Sequence, residues 1–258
     1  MTDYPALIVP VDHVEPVPRR IRAVLAGETV VDTTRARYVW ERPSYPQYYI
    51  PVGDVRPELL VPEAGTAQTS RGTVRMHGLR AAGTSRPAAA HVLTVSPIEG
   101  LSGTVRFEWT ALDAWFEEDE QVFVHPRSPY TRVDALRSTR TVRIERDGAV
   151  LAESSSPVMV FETGLPTRYY LNRAEVDLSH LIRTDTVTAC PYKGTTGGYW
   201  SARVADRVHP DIAWSYDFPT REMSAIAGLV AFYNERVDTF LDGELLERPA
   251  THFFTPED

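Results

Sequence analysis

The 258-residue chain has a single cysteine, Cys190, which excludes an internal disulfide and any zinc or iron–sulfur site built on several thiolates. It has no long hydrophobic run: the longest, 225–233, is far short of a membrane span. It has no basic excess either. With 27 Lys+Arg against 35 Asp+Glu the net charge is −8, and no local basic face is visible for nucleic acid. The seven histidines (His13, His77, His91, His125, His180, His209 and His252) show no His-x-His or His-x-x-x-His spacing, which leaves metal ligation unsupported. No Gly-x-x-x-x-Gly-Lys-Ser/Thr string occurs, so the usual NTPase phosphate loop is absent. The opening residues lack the basic stretch and apolar core of a signal peptide, and the expectation is a cytoplasmic protein.

What is present is a repeat. Residues 19–60 align without a gap on 140–181. Identities fall at Arg19/Arg140, Arg22/Arg143, Gly27/Gly148, Val39/Val160, Glu41/Glu162, Tyr48/Tyr169, Tyr49/Tyr170, Val55/Val176 and Leu60/Leu181. That is nine in 42 positions, where chance matching gives roughly two or three. The match resumes where Val105, Phe107 and Trp115 run parallel to Val230, Phe232 and Phe240. The expected organisation is an arm at 1–17, a first, degenerate repeat at 18–124, a linker at 125–136, a second repeat at 137–250 and a tail at 251–258.

Strand-length apolar runs separated by turn residues predict a mostly β chain of small helical content. Asp147-Gly148, Ala26-Gly27, Asp242-Gly243 and the acidic tip Glu117-Glu118-Asp119-Glu120 read as hairpin turns. A short helix is expected after Thr220, running through Met223 to Ala231. The fold expected is a tandem pair of β-rich domains with approximate internal two-fold symmetry, which makes the chain a monomer or a weak homodimer.

Chemistry concentrates in the second copy, in Cys190-Pro191-Tyr192-Lys193-Gly194-Thr195-Thr196-Gly197-Gly198-Tyr199-Trp200. Its glycines allow a tight bend, and Lys193 with the Gly194–Gly198 backbone could hold a carboxylate or phosphate. Tyr192, Tyr199, Trp200, Trp214 and Tyr216 put five aromatics into 25 residues, whereas 61–104 of the first copy has none. The asymmetry points to an aromatic-walled pocket in the second copy; core packing is the plainer alternative. Cys190 is either a small buried hydrophobe or a thiol activated by Lys193, with His209 or His125 as proton partner. Asp211, Asp217 and Glu222 read as acid–base groups or as turn and cap residues. Arg127, Tyr130 and Arg132 in the linker either close over the pocket or pin the linker. The doubled tyrosines Tyr48-Tyr49 and Tyr169-Tyr170 occur in both copies and are assigned to packing.

The string Cys190-Pro191-Tyr192-Lys193-Gly194 with Tyr199-Trp200, then Ala213-Trp214-Ser215-Tyr216, Ile226-Ala227-Gly228 and Phe232-Tyr233, resembles the family called domain of unknown function 427. The lead-in 162–170 and the linker 125–134 look like its two-copy members, and the resemblance covers nearly the whole chain after residue 18. It implies a compact β-rich domain comparable with β-tent folds. Some members are labelled nucleotidyltransferases, but no Gly-Ser followed by an Asp-x-Asp pair occurs here. Ser128 stands where the resemblance leads one to expect Asp.

Three functional expectations follow. The first is a small-molecule site in the second repeat, enzymatic or not, that takes an anionic or carbonyl-containing compound. In it Cys190 and Lys193 are the catalytic candidates, and Tyr192, Gly194, Tyr199, Trp200, Trp214, Tyr216, Arg127, Tyr130 and Arg132 the ligand-binding ones. The second is a non-catalytic sensor that uses the same pocket. The third is a scaffold whose aromatic cluster is only core. The cofactor is left open, and no nucleic acid or membrane partner is called for.

Overall fold

The structure, a computed structural model, describes residues 4–251 and 254. Of the expected terminal segments, residues 1–3 of the arm and all of the tail except Thr251 and Phe254 lie outside the described residues. The chain forms two compact units, Ile8–Ser128 and the stretch from Pro129 onward together with the N-terminal residues up to Leu7.

The first unit contains β1 (Val14–Pro16), β2 (Ile21–Leu25), β3 (Glu28–Thr33), β4 (Arg37–Arg42), β5 (Tyr45–Pro51) and β6 (Leu60–Thr69). It continues with β7 (Gly72–Ala81), β8 (Thr84–Val95), β9 (Thr104–Phe107), β10 (Ala114–Glu117) and β11 (Glu120–Val122). The second unit begins with β12 (Val133–Arg137), β13 (Val142–Arg146), β14 (Ala149–Ser154), β15 (Val158–Glu162), β16 (Leu165–Leu171) and β17 (Leu181–Thr184). The short pair β18 (Ala189–Cys190) and β19 (Gly194–Thr195) follows. Then come β20 (Gly198–Val204), β21 (Arg207–Ser215), β22 (Val230–Phe232), β23 (Asp238–Leu241) and β24 (Glu244–Leu245).

Each unit is a β-sandwich of a seven-stranded and a four-stranded sheet. The orders are β1-β4-β5-β9-β8-β7-β6 with β11-β10-β2-β3, and β12-β15-β16-β22-β21-β20-β17 with β14-β13-β23-β24. The seven-stranded orders match strand for strand, as do the four-stranded ones when one is read in reverse, so the mostly β, tandem-duplicated architecture is as the sequence indicates.

The hairpin turns fall where the sequence places them. Asp147 and Gly148 both take positive φ (49° and 80°), the pair of left-handed residues that a two-residue turn needs. Ala26 is forced into the same region (φ 51°), and its N–H donates to Asp113 at 2.6 Å. The acidic tip 117–120 joins β10 to β11 and is neutralised from β2, where Arg22 reaches Asp119 at 2.6 Å. The helix expected through Ala231 is shorter than expected. A 3₁₀ segment covers Arg221–Ile226 with a kink at Met223, and Val230–Phe232 is already strand because it pairs with both β16 and β21. Thr220 does not cap it; its hydroxyl donates to the Tyr192 carbonyl instead.

Successive residues of a strand face opposite sides, and this sorts the long sheet of the second unit. Tyr169, Leu171, Trp200, Ala213 and Phe232 point into the sandwich, against Val142, Ile144, Leu151 and Leu241 of the four-stranded sheet. Val158, Val160, Tyr170, Tyr199, Trp214 and Tyr216 point to the other side, where Met223 and Ile226 cover them. Trp200 therefore parts from Tyr199, its neighbour in sequence.

Replacing Trp200, which is 5% exposed, by Ala removes interior volume and is expected to destabilise the second unit by about 3–5 kcal/mol. Denaturant unfolding followed by circular dichroism measures this. A loss below about 1 kcal/mol, the size of an ordinary surface change, contradicts the placement of the indole.

Candidate functional site

The outer face of the second unit's long sheet carries a buried polar cluster. Glu162 ends β15 and Tyr170 lies on β16. Cys190 and Lys193 come from the β18–β19 turn that precedes β20. Lys193 forms an ion pair with Glu162, and its Nζ lies 3.8 Å from Cys190 Sγ. Both charged side chains are nearly enclosed, at 8% and 11% exposure. Tyr170, fully buried, accepts a 3.2 Å hydrogen bond from Trp214 Nε1.

The loop shape has local causes. Gly194 sits at φ +93°, a conformation side chains resist, so that Cys190 and Gly194 can pair across the turn. A Cβ on Gly198 would come within 2.5 Å of the Trp200 ring, so glycine lets the strand close down at that point. Two of the loop amides are occupied: Thr196 N–H donates to Thr188 O and Gly197 N–H to Ser215 O, each at 2.9 Å. Those two N–H groups are therefore committed to the fold rather than to an anion.

The electrostatics favour a charged lysine and a neutral thiol. Burial disfavours the Lys193 ammonium, but the Glu162 carboxylate paired with it helps to outweigh this, and the group is held above its ordinary range. Burial pushes the Cys190 thiol up; Lys193 opposes this and does not prevail. Burial likewise raises the Tyr170 phenol to about 12. The direction at Cys190 is opposite to that of an activated nucleophile. His209 does not serve it: that imidazole lies between Arg146 Nε (3.1 Å) and Asp147 (3.0 Å) at the β13–β14 hairpin. His125 belongs to the first unit, stacked on Tyr45 at 3.7 Å.

A second buried pair lies on the same face. Arg168 makes two hydrogen bonds to Glu235, at 2.6 and 2.7 Å, and its guanidinium lies over the Trp214 and Tyr233 rings. Thr251 donates to Glu235 at 2.7 Å. The Tyr199 and Tyr233 hydroxyls are hydrogen-bonded to each other.

Of the aromatic candidates, Tyr199, Trp214 and Tyr216 share this face, while Trp200 is sandwich interior and does not line it. Tyr192 is half-buried in the turn itself. Arg127 lies in the first unit. Tyr130 is half-exposed, and Arg132 stands in solvent paired with Asp134 at 2.6 Å, so its charge is spent away from Lys193. Asp211 lies within β21 and accepts from Thr184 at the end of β17 (2.8 Å) and from Thr186 just beyond it (2.7 Å), and Asp217 accepts from Ser215 (3.2 Å).

Sequence reasoning missed Glu162, Tyr170, Arg168, Tyr233 and Glu235. The first two carry a signal, since both are identities of the internal repeat. Arg168 and Glu235 carry none, being 67 residues apart. Among the described residues, no group of three or more His, Cys, Asp or Glu is placed to hold a metal ion, and no helix is long and apolar enough to cross a membrane.

Two sandwiches of one topology, the second with ion pairs buried on the outer face of its long sheet, define a duplicated β-sandwich protein. The family described as a domain of unknown function (DUF427) matches residues 13–118 and 134–243, and the chain belongs to it as a two-copy member. Comparison with curated proteins found no match.

Glu235 is buried, which by itself raises its pKa; the Arg168 hydrogen bonds and charge outweigh this, and the carboxyl ends below its ordinary value. Its contribution is therefore fully present above the unfolded glutamate value of about 4.3 and is lost as the pH falls through the folded value. Urea midpoints measured below pH ~5 are expected to fall in the native chain and to flatten in the double variant Arg168→Met/Glu235→Leu. An unchanged slope in that variant would remove Glu235 as the acid-sensitive group.

Proposed function

We propose that the second unit binds a small carbonyl- or carboxylate-bearing molecule at the Lys193–Glu162–Cys190–Tyr170 centre. The observation that carries this reading is the ion pair buried on the outer face of the sheet, where the sandwich does not need it. Desolvating two charges costs several kcal/mol per ion, so such a pair is poor value as a stabilising device. Groups with shifted proton affinity gathered behind a glycine-bent loop are the usual material of a binding or reaction site.

In this reading Lys193 and the protonated Cys190 thiol donate to the ligand oxygen, and Glu162 is the internal anion that the ligand exchanges with. Tyr199, Trp214 and Tyr216 form the rigid wall behind them. The raised thiol favours binding over catalysis. Thiol chemistry is the second reading, supported by the 3.8 Å approach of Lys193 to Cys190.

The experiment is iodoacetamide modification of Cys190 between about pH 5 and 9, with and without small 2-oxo acids and simple carboxylates. With one cysteine in the chain, every modification event reports on this site. The expected result is a slow native rate that climbs only above the free-thiol value of ~8.5 and is slowed further by a bound carboxylate, the slowing being lost in Lys193→Met. A fast rate with an apparent pKa well below ~8.5 would establish the catalytic reading instead. Absence of protection by every compound, with the Lys193→Met rate unchanged, would overturn the site.

A further inference from the structure

The first unit, which the sequence presents as the degenerate copy, holds a cavity of about 130 Å³ on the corresponding face of its own long sheet. Its polar lining is Glu41, Tyr49, Arg71, His91, Arg106 and Glu108, with Thr69, Val74 and Leu93 completing the wall. Glu41 and Tyr49 are the repeat counterparts of Glu162 and Tyr170. Here the tyrosine hydroxyl donates to the glutamate at 2.8 Å. Arg71 lies in the β6–β7 turn, which joins the same two strands as the loop of Lys193, and it donates to Tyr49 OH at 3.2 Å and to Asp12 at 2.6 Å.

Strand register gives the remaining equivalences. Ile50 pairs with Val105 as Leu171 pairs with Val230, and His91 pairs with Arg106 as Trp214 pairs with Ala231. His91 thus stands where the second unit has Trp214, Arg106 where it has Ala231, and Glu108 where it has Tyr233. The aromatic filling has been exchanged for ionisable groups, and a space remains between them.

The polar groups of that space are incompletely matched. Arg106 forms an ion pair with Glu108 through Nη1, while its buried Nε lies 3.4 Å from Glu41 without making a hydrogen bond. A buried donor left unspent costs free energy until something accepts from it. Two guanidiniums and two glutamates border the space, and Asp12 backs Arg71. A plain anion would meet Glu41 and Glu108, and a plain cation would meet Arg71 and Arg106. A molecule with both signs a few ångströms apart satisfies both. A cavity of about 150 Å³ admits benzene, so this one suits a ligand of about six heavy atoms.

We infer that the first unit carries a second binding site, lined by Glu41, Tyr49, Arg71, His91, Arg106 and Glu108, for a small zwitterion of the α-amino-acid class. The ligand carboxylate is taken by the guanidiniums of Arg71 and Arg106, and its ammonium is held by Glu41 and Glu108. The site stands whether or not the second unit binds anything.

The test is titration of the whole chain with L-alanine, followed by amide ¹H–¹⁵N spectra, with acetate and methylammonium as single-charge probes. Saturable shifts are expected at Arg71, His91 and Arg106, with L-alanine binding roughly tenfold or more tighter than either single-charge probe. Arg106→Gln is expected to weaken L-alanine by a similar factor, as is Glu108→Gln at a half-exposed position that leaves the core intact. No saturable shift up to about 50 mM would overturn the site. Equal affinity for acetate, or unchanged L-alanine affinity in both variants, would overturn the zwitterion assignment.

Discussion

The alternation of side chains along the seven-stranded sheets governs nearly everything else in the molecule. Each long strand sends every second residue into the sandwich and the rest to the outer face. Tyr169 and Tyr170 are adjacent, yet Tyr169 packs with Leu171 and Trp200 between the sheets, while Tyr170 packs with Trp214 and Tyr216 outside. The same split separates Tyr48 from Tyr49 in the first unit. The sandwich needs only one set. The other is available for polar chemistry, provided something covers it, and in the second unit the 3₁₀ segment Arg221–Ile226 supplies Met223 and Ile226 for that purpose.

Covering that face has an electrostatic consequence. Arg168 and Glu235 are taken out of water together, and their bidentate geometry with the Thr251 hydroxyl satisfies much of what hydration would have supplied. Lys193 and Glu162 are also enclosed, with a thiol as the next neighbour of the ammonium. A thiol is a weak acceptor, so the Lys193 environment is less completely satisfied than that of Arg168. Of the two pairs, Arg168–Glu235 has the character of a structural clamp on the C-terminal strands. Lys193–Glu162 has the character of a pair that can exchange partners.

Much of this was legible in the chain. The repeat, the β class and the hairpin tips are local or periodic signals, and Asp147-Gly148 announces its turn without any tertiary context. The grouping of Tyr199, Trp214 and Tyr216 with Lys193 followed from composition alone. The inclusion of Trp200 failed because density of aromatics in sequence says nothing about which side of a strand each one takes. Glu162 and Tyr170 were visible as repeat identities, but Tyr170 was read as packing and Glu162 was given no role, since a residue kept in both copies looks structural when the copies are assumed to differ in function. Arg168–Glu235 depends on β16 lying beside β22, a register that no local pattern encodes.

That assumption about the copies is where the duplication is most informative. A glutamate and a tyrosine hold the same positions in both units, and each is met by a cation from the segment joining the same two strands. The cation is Lys193 in one and Arg71 in the other. The two are not interchangeable: an ammonium is a compact point charge, whereas a guanidinium spreads its donors over a planar fork and can serve Tyr49 and Asp12 at once. Around the lysine the face is filled with rings; around the arginine it is lined with His91, Arg106 and Glu108 and stays open. Had the first unit simply lost its role, apolar replacements would have sufficed, such as Leu93 at the position of Tyr216 and Met76 at that of Tyr199. Placing three ionisable side chains there instead, with a buried donor lacking a hydrogen bond, is a costly substitution for mere packing. The difference between the copies is therefore one of chemistry within a common frame, ionisable groups around a cavity in one unit, aromatic rings around a buried ion pair in the other.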